Sequence, residues 1–262
     1  QMVALLYCEV RVINLAICWI SSTLVNTFYS KNVTSFTPSA GNRKKSSSSE
    51  TIRGKSFNFE LFNSKRQSLG FESVDTNWLT WFIGFTEGDG SIFSNKINSP
   101  SPDLRFILTQ KEGTILFEIQ EKLRLGKVHF YSQGKGTKGF YRFIVANNKD
   151  ILFLALLFNG NLVLPRRIAQ LSFWVRILDK KGFWKYGPTQ TQPILPSIND
   201  SWLSGLTDAE GCFNVNIFSR NNTVTGFRVK LRFLLVQKDA YEILIFIRGL
   251  FGFGRGTLRN EN

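Results

Sequence analysis

Hydrophobic and polar positions divide the chain into three regimes. Residues 2–30 are apolar without a sustained period: Glu9 and Arg11 interrupt the start, and Val12 to Phe28 is an uncharged run. A membrane span needs about 20 apolar residues, and Asn14, Ser21, Ser22, Thr23 and Asn26 fall inside this shorter run. Three readings stand: a targeting segment, a marginal span, and the remnant of a fused upstream reading frame. The last is preferred, because Gln1 precedes Met2. Residues 31–76 hold few aliphatics and the cluster Arg43-Lys44-Lys45 followed by Ser46 to Ser49. Such a composition predicts a disordered tether, or a basic arm that touches nucleic acid. From Asn77 the pattern is that of packed elements. Trp78 to Phe85 predicts a helix opened by Thr76 or Asn77 and stopped at Gly90, and Trp202 to Glu210 a second, opened by Asp200 or Ser201 and stopped at Gly211.

The two helices head a duplication. Phe106-Ile107-Leu108-Thr109-Gln110-Lys111-Glu112 matches Phe233-Leu234-Leu235-Val236-Gln237-Lys238-Asp239. Each is followed by an amphipathic helix pattern, Ile115, Leu116, Ile119 and Leu123 in the first and Tyr241, Leu244, Ile245 and Arg248 in the second. Leu125-Gly126-Lys127-Val128 then parallels Phe253-Gly254-Arg255-Gly256. Coincidence explains one such match in an apolar chain, not three in the same order.

Gly84 and Gly88 are four apart, as are Gly205 and Ala209, so small residues share a helix face. A glycine that merely stops a helix accounts for Gly90 and Gly211. Gly84 and Gly205 stand inside, at a cost of roughly 0.8–1 kcal/mol each relative to Ala. The two helices are therefore expected to pack along these faces, which places their C-termini, and with them Asp89 and Glu210, side by side. A carboxylate at the negative end of a helix dipole is disfavoured, and a second one nearby adds to the cost. The alternative is two solvated acids. The matched positions favour a hard divalent cation with oxygen ligands.

Composition narrows the chemistry. Lys plus Arg is 33 against 19 acids, a formal net charge of +14, and the stretch 77–199 carries 16 basic and 8 acidic residues. A polyanion is the expected partner, nucleic acid before an anionic membrane surface. Three scattered cysteines support neither a zinc finger nor a disulfide framework, and the single histidine, His129, excludes histidine-rich catalytic sites. Catalysis would rest on carboxylates. In Arg228-Val229-Lys230-Leu231-Arg232-Phe233 every second residue is basic, which predicts a half-buried strand with one cationic face for phosphates or base edges. Asp103 to Leu108, with Arg105, reads the same way more weakly. Tyr131 to Arg142 reads as a hairpin with Lys135 and Lys138 at a glycine-rich tip.

Phe82-Ile83-Gly84-Phe85-Thr86-Glu87-Gly88-Asp89-Gly90 and Leu203-Ser204-Gly205-Leu206-Thr207-Asp208-Ala209-Glu210-Gly211 resemble the two motifs of single-chain LAGLIDADG homing endonucleases. The run Phe158 to Arg167 resembles the family's segment ahead of the first repeat's last helix. The likeness covers about Trp78 to Asn262. It implies an α+β fold, a duplicated αββαββα arrangement with an antiparallel saddle over DNA. It implies that Asp89 and Glu210, with Gly88 and Ala209 beside them, hold Mg²⁺ for phosphodiester hydrolysis of both strands. It further implies that Gln110 and Gln237 order water, and that Arg166 or Arg167 supplies a nearby cation. Arg105, Lys135, Lys138, Arg142, Arg166, Arg167, Arg228, Lys230 and Arg232 are the expected DNA contacts.

The domains expected are an N-terminal extension over 1–76, a first repeat over 77–185, a linker over 186–199 and a second repeat over 200–262. The second is expected to be incomplete, a C-terminal truncation lacking its second strand pair and last helix from Arg255 onward. The expected function is a Mg²⁺-dependent, site-specific double-strand DNA endonuclease encoded by an intron and acting as a monomer with pseudo-two-fold symmetry. An intron RNA maturase of the same family is the alternative, and a membrane-associated protein with a basic tail is a third. The likeness and an abundance of Phe, 25 residues, with other residues of AT-rich codons point to a mitochondrial location, or to a chloroplast.

Overall fold

The computed structural model describes residues 2–10, 56–95, 102–132, 134, 139–222 and 224–260. Lys135, Lys138 and the run Val12 to Phe28 lie outside these. Among the described residues no helix is long and apolar enough to cross a membrane.

The first unit begins earlier than the motif. Helix α1 (Glu60–Gln67) is followed by the motif helix α2 (Thr76–Asp89), strands β2 (Ser91–Asn95) and β3 (Asp103–Gln110), helix α3 (Thr114–Leu123), strands β4 (Lys127–Tyr131) and β5 (Phe140–Val145), and helices α4 (Asn148–Phe158) and α5 (Pro165–Lys180). The strands form one antiparallel sheet in the order β2-β3-β5-β4. Alternation along β3 sends Leu104, Phe106 and Leu108 into the core and leaves Asp103, Arg105 and Thr109 exposed. Phe82, Phe106, Phe143 and Phe158 pack on one another at the centre, with centroids 5.8–6.4 Å apart. Each such ring removes enough apolar surface from water to stabilise the fold by about 1.5–3 kcal/mol.

Residues 57–75, expected in a structureless tether, pack on this unit instead. Phe59 and Phe62 are buried, and Phe62 meets Phe153 edge-on. The anchors are aromatic rather than aliphatic, which is why a count of aliphatics does not mark this stretch as packed. Arg66 of α1 donates to the carbonyls of Leu123 (2.6 Å) and Lys122 (3.2 Å), so a cation caps the negative end of α3. The motif helix is opened by Asp75, whose carboxylate accepts from the Trp78 amide at 2.8 Å, one residue before the expected cap. Within 186–199, Ile194 is buried and its amide donates to the Leu162 carbonyl at 3.0 Å, so this connection too lies against the first unit.

The second unit holds the motif helix α6 (Trp202–Glu210), strands β6 (Gly211–Ser219) and β7 (Phe227–Lys238), helix α7 (Tyr241–Phe251) and strand β8 (Arg255–Asn260). The sheet order is β6-β7-β1-β8, where β1 is Met2–Val10, antiparallel to both neighbours. This differs from the expectation in two ways. A strand does follow at Arg255, and its partner comes from the opposite end of the chain. One face of β6 stays open: Phe213, Val215 and Ile217 are exposed. In the first unit α5 lies over β2, where the Trp174 indole donates to the Phe93 carbonyl at 3.1 Å. No described element takes that place in the second unit.

Candidate active site at the paired motif helices

Helices α2 and α6 cross where their glycines meet. A Cβ on Gly84 would collide with the Trp202 carbonyl and lie 2.8 Å from the Leu206 amide nitrogen. One on Gly205 would collide with the Trp81 carbonyl and lie 2.9 Å from the Phe85 nitrogen. Backbone therefore rests on backbone, and the internal glycines are the residues that permit it. At the ends of the helices, a Cβ on Gly88 would strike Ala209 and stand 3.0 Å from the Glu210 Cγ. The two C-termini meet, as the spacing predicts.

A reciprocal pair of hydrogen bonds locks the crossing. The Trp81 indole donates to Asp208 at 2.8 Å, and the Trp202 indole donates to Glu87 at 2.7 Å. These tryptophans and acids occupy equivalent positions in the two motifs, so each helix's first acid is held by the other helix. The environments differ: Asp208 is exposed and Glu87 is buried. Glu87 also accepts from the amides of Val163 (3.0 and 3.2 Å) and Leu164 (2.7 Å). Burial raises its carboxyl from the usual 4.5 to about 7, against the pull of the Leu164 amide, the Trp202 indole, the Val163 amide and the Arg167 charge.

This shift makes stability depend on pH. The folded-state value lies above the unfolded one, so folding takes up a proton between pH 4.5 and about 7. The stability involved is complete below pH 4.5 and is lost as pH rises to about 7. At 1.36 kcal/mol per pKa unit it amounts to roughly 3 kcal/mol. Glu87→Gln is expected to flatten this part of the profile, read as urea midpoints of both proteins between pH 5 and 8. An unchanged slope in the variant counts against the assignment.

Asp89 and Glu210 follow on the same helix ends, each half-buried. Gln110 of β3 donates to Asp89 at 2.5 Å. Burial raises the Asp89 carboxyl, opposed by Gln110 and by Arg167. Burial also raises Glu210, the negative charge of Asp89 raises it further, and Arg167 opposes both. The charge of Asp89 thus reaches Glu210 across the crossing. Gln237, the counterpart of Gln110, is buried, and its Nε2 has no hydrogen-bond partner among the described residues.

The cation beside the acids is Arg167, and Arg166 is exposed next to it. The Arg167 guanidinium donates to the carbonyls of Glu87 (2.9 and 3.1 Å) and Gly88 (3.0 Å) and to Gln170 (3.1 Å). It therefore sits on the unpaired carbonyls at the end of α2. Burial lowers its pKa; Glu87 raises it, Arg166 lowers it, and Glu210 and Asp89 raise it. The run Phe158 to Arg167 is what wraps the motif helix. Asn161 donates to the carbonyls of Asn58 (2.7 Å) and Leu157 (2.9 Å), Val163 and Leu164 grip Glu87, and Arg167 caps the helix end.

The residues fit a hard divalent cation of the Mg²⁺ kind. No group of three or more His, Cys, Asp or Glu side chains stands together among the described residues. Mg²⁺ is ordinarily held by one or two carboxylates together with water and substrate phosphate, and Asp89 with Glu210 supplies two. The carbonyl of Gly88 already accepts from Arg167.

The basic residues lie on the strand face away from the helices. Arg105 is exposed on β3. Arg142 on β5 stands opposite both Thr109 and His129, with its guanidinium 4.9 Å from the Phe140 ring centroid and 5.2 Å from that of Tyr131. On β7, Leu235 and Gln237 are buried, which puts Arg228, Lys230 and Arg232 on the opposite face, Arg228 exposed and the other two half-buried.

Two α–β–β–α units joined by glycine-faced helices that end in acids define a class: the two-motif LAGLIDADG fold. Residues 82–178 and 203–262 match the LAGLIDADG endonuclease family, and the chain belongs to it. Over 182 residues, 69% of this chain, it is 33% identical to probable intron-encoded endonuclease 4 of Neurospora crassa, of which the match covers 32%. Over 249 residues, 92% of this chain, it is 23% identical to an uncharacterized cox1 intron-2 37.2 kDa protein of Schizosaccharomyces pombe, 70% of which is covered. The chain thus spans about a third of the Neurospora protein. Among solved structures it resembles the LAGLIDADG meganuclease I-AabMI bound to uncleaved DNA, with a TM-score of 0.52 and 22% identity over 70% of this chain and 78% of that one. It also resembles I-CpaMI bound to uncleaved DNA, with a TM-score of 0.51 and 16% identity over 69% and 78%.

Proposed function

We propose that the protein is a site-specific DNA endonuclease that cuts both strands of a duplex with Mg²⁺ held between Asp89 and Glu210. The carrying observation is the meeting of these two acids at matched helix ends, close enough for one charge to raise the pKa of the other. Bound there, Mg²⁺ would polarise phosphate oxygen and offset charge on the attacking and leaving oxygens. Asp89 and Glu210 each face one strand of the duplex. Gln110 orients Asp89 and helps to position water. Arg167 fixes the end of α2 and balances the negative charge gathered there. Arg105, Arg142, Arg228, Lys230 and Arg232 meet phosphates and base edges, with Lys135, Lys138 and Arg166 extending that surface. Both motifs lie in one chain, so the active species is a monomer. The intron names of the relatives, one of them a cox1 intron, support a mitochondrial role.

The test is incubation of the full chain with a randomised duplex library in Mg²⁺ or in EDTA. Double-strand breaks at one recurring sequence, in Mg²⁺ only, are the expected result. Binding confined to intron RNA, with no nicking of any duplex, overturns the endonuclease in favour of a maturase.

A further inference from the structure

Repeat equivalence gives each strand of the first sheet a counterpart in the second. Gln110 corresponds to Gln237, and Gly126, ahead of β4, to Gly254, ahead of β8. In the first unit, Gln110 of β3 pairs with Tyr141 of β5, and Tyr141 pairs with Phe130 of β4, four residues after Gly126. In the second, Gln237 of β7 pairs with Ala4 of β1, and Ala4 pairs with Leu258 of β8, four residues after Gly254. Place, direction and register of β1 therefore equal those of β5, residue for residue. Yet β5 follows β4 in its own repeat, whereas β1 precedes the whole first repeat and lies outside the family match.

We infer that Met2–Val10 is a working strand of the second recognition sheet, added from ahead of the first repeat to the slot that β5 fills in the first. Two consequences make this more than an incidental pairing. Strand β8 bonds to no other described strand, so β1 alone holds it in the sheet. Among the described strands nothing else pairs with that side of the 12-residue β7, which without β1 would be an open edge, a template for foreign strands. Main-chain hydrogen bonds supply the affinity of such strand addition, and alternate side chains its specificity. The register also sets which charges share the outer face, an acid as well as cations. Glu9 stands opposite Arg232, Tyr7 opposite Leu234, and Tyr7 on its other side opposite Arg255. By strand alternation Arg255, which is exposed, shares the face of Arg232. On the proposed reading as a DNA-binding saddle, β1 thus sets the outer part of the second half-site by holding β8 in place.

Hydrogen exchange on the full chain tests the strand without reference to DNA. Leu6→Pro removes a main-chain donor in the middle of β1. It is expected to speed exchange across 255–260 at least tenfold and to leave 103–145 unchanged. Equal exchange of 255–260 in both proteins overturns the inference. A second variant reads proximity directly: Ala4→Cys with Leu258→Cys, in a chain whose three native cysteines are replaced by serine. An intramolecular disulfide after mild oxidation supports the assigned register, and a disulfide-linked dimer overturns it. A footprint then reads the DNA consequence, with Leu6→Pro losing protection at the outer edge of one half-site only. If exchange and crosslink behave as expected but no duplex is bound, the strand stands and the endonuclease reading falls.

Discussion

Replacing Asp89 by Asn, or Glu210 by Gln, is expected to lower cleavage on the order of 10³-fold or more, because on the proposed reading each removes one of two charged oxygen ligands. Duplex binding is expected to stay within a few-fold of the parent, since the basic strand faces are untouched. The structure adds a signature that separates lost chemistry from lost fold. Both carboxyls are pushed above their usual values by burial, and Glu210 is pushed further by Asp89. Their ionised forms oppose folding at neutral pH, and the amides do not. Without metal, either variant should therefore melt at or above the temperature of the parent. A variant that stops cutting and also melts several degrees lower would mean that the acids hold the helices together rather than act on DNA. Cleavage that persists in the double variant would place the active site elsewhere.

The second large effect is at the crossing. Gly84→Ala and Gly205→Ala each place a methyl group against a main-chain carbonyl of the other helix, and backbone cannot turn aside as a side chain can. Alanine favours an isolated helix by roughly 0.8–1 kcal/mol over glycine, yet overpacking typically costs 1–3 kcal/mol and more where backbone must shift. A net loss of about 2 kcal/mol or more is expected for each variant, measured by urea denaturation. Gly249→Ala is the control. It lies within helix α7, a Cβ there would meet nothing within 4 Å, and the same substitution should stabilise slightly. Equal effects at all three positions would show that helix propensity, not close approach, governs the site.

These features divide by how far apart their causes lie in the chain. The glycine faces and the meeting of the helix ends that carry Asp89 and Glu210 could be read because both rest on a local motif that occurs twice. The difference between Gln110, which grips Asp89, and Gln237, whose amide nitrogen has no partner among the described residues, could not, because identical letters stand in unequal surroundings. Glu87 is the most buried of the described acids, and nothing local in the sequence marks it. What makes it special is contact with Val163, Leu164 and Trp202, residues 76, 77 and 115 positions away. The choice between Arg166 and Arg167 likewise needed the end of α2 in space. At the N-terminus the difficulty was one of kind. Met2–Val10 has strand-forming residues but no partner nearby in sequence, and its register is written in β7 and β8, more than two hundred positions downstream. Phe59 and Phe62 announced a packed helix too quietly beside the serine-rich run before them.

One residue separates Asp89 from the first strand of its sheet, and none separates Glu210 from its own. Gly90 and Gly211 are extended, with ψ of 142° and 141°, so each helix passes into strand without a turn. Side chains at these two places would run into the Thr86 and Thr207 carbonyls, which keeps the passage tight. There is no slack in which a displacement could dissipate. On the proposed reading, a sheet that rides up on an ill-fitting base pair would carry its acid with it, so an imperfect sequence would be penalised in the geometry of scission as well as in the strength of the grip. Fidelity and chemistry would then share one rigid lever.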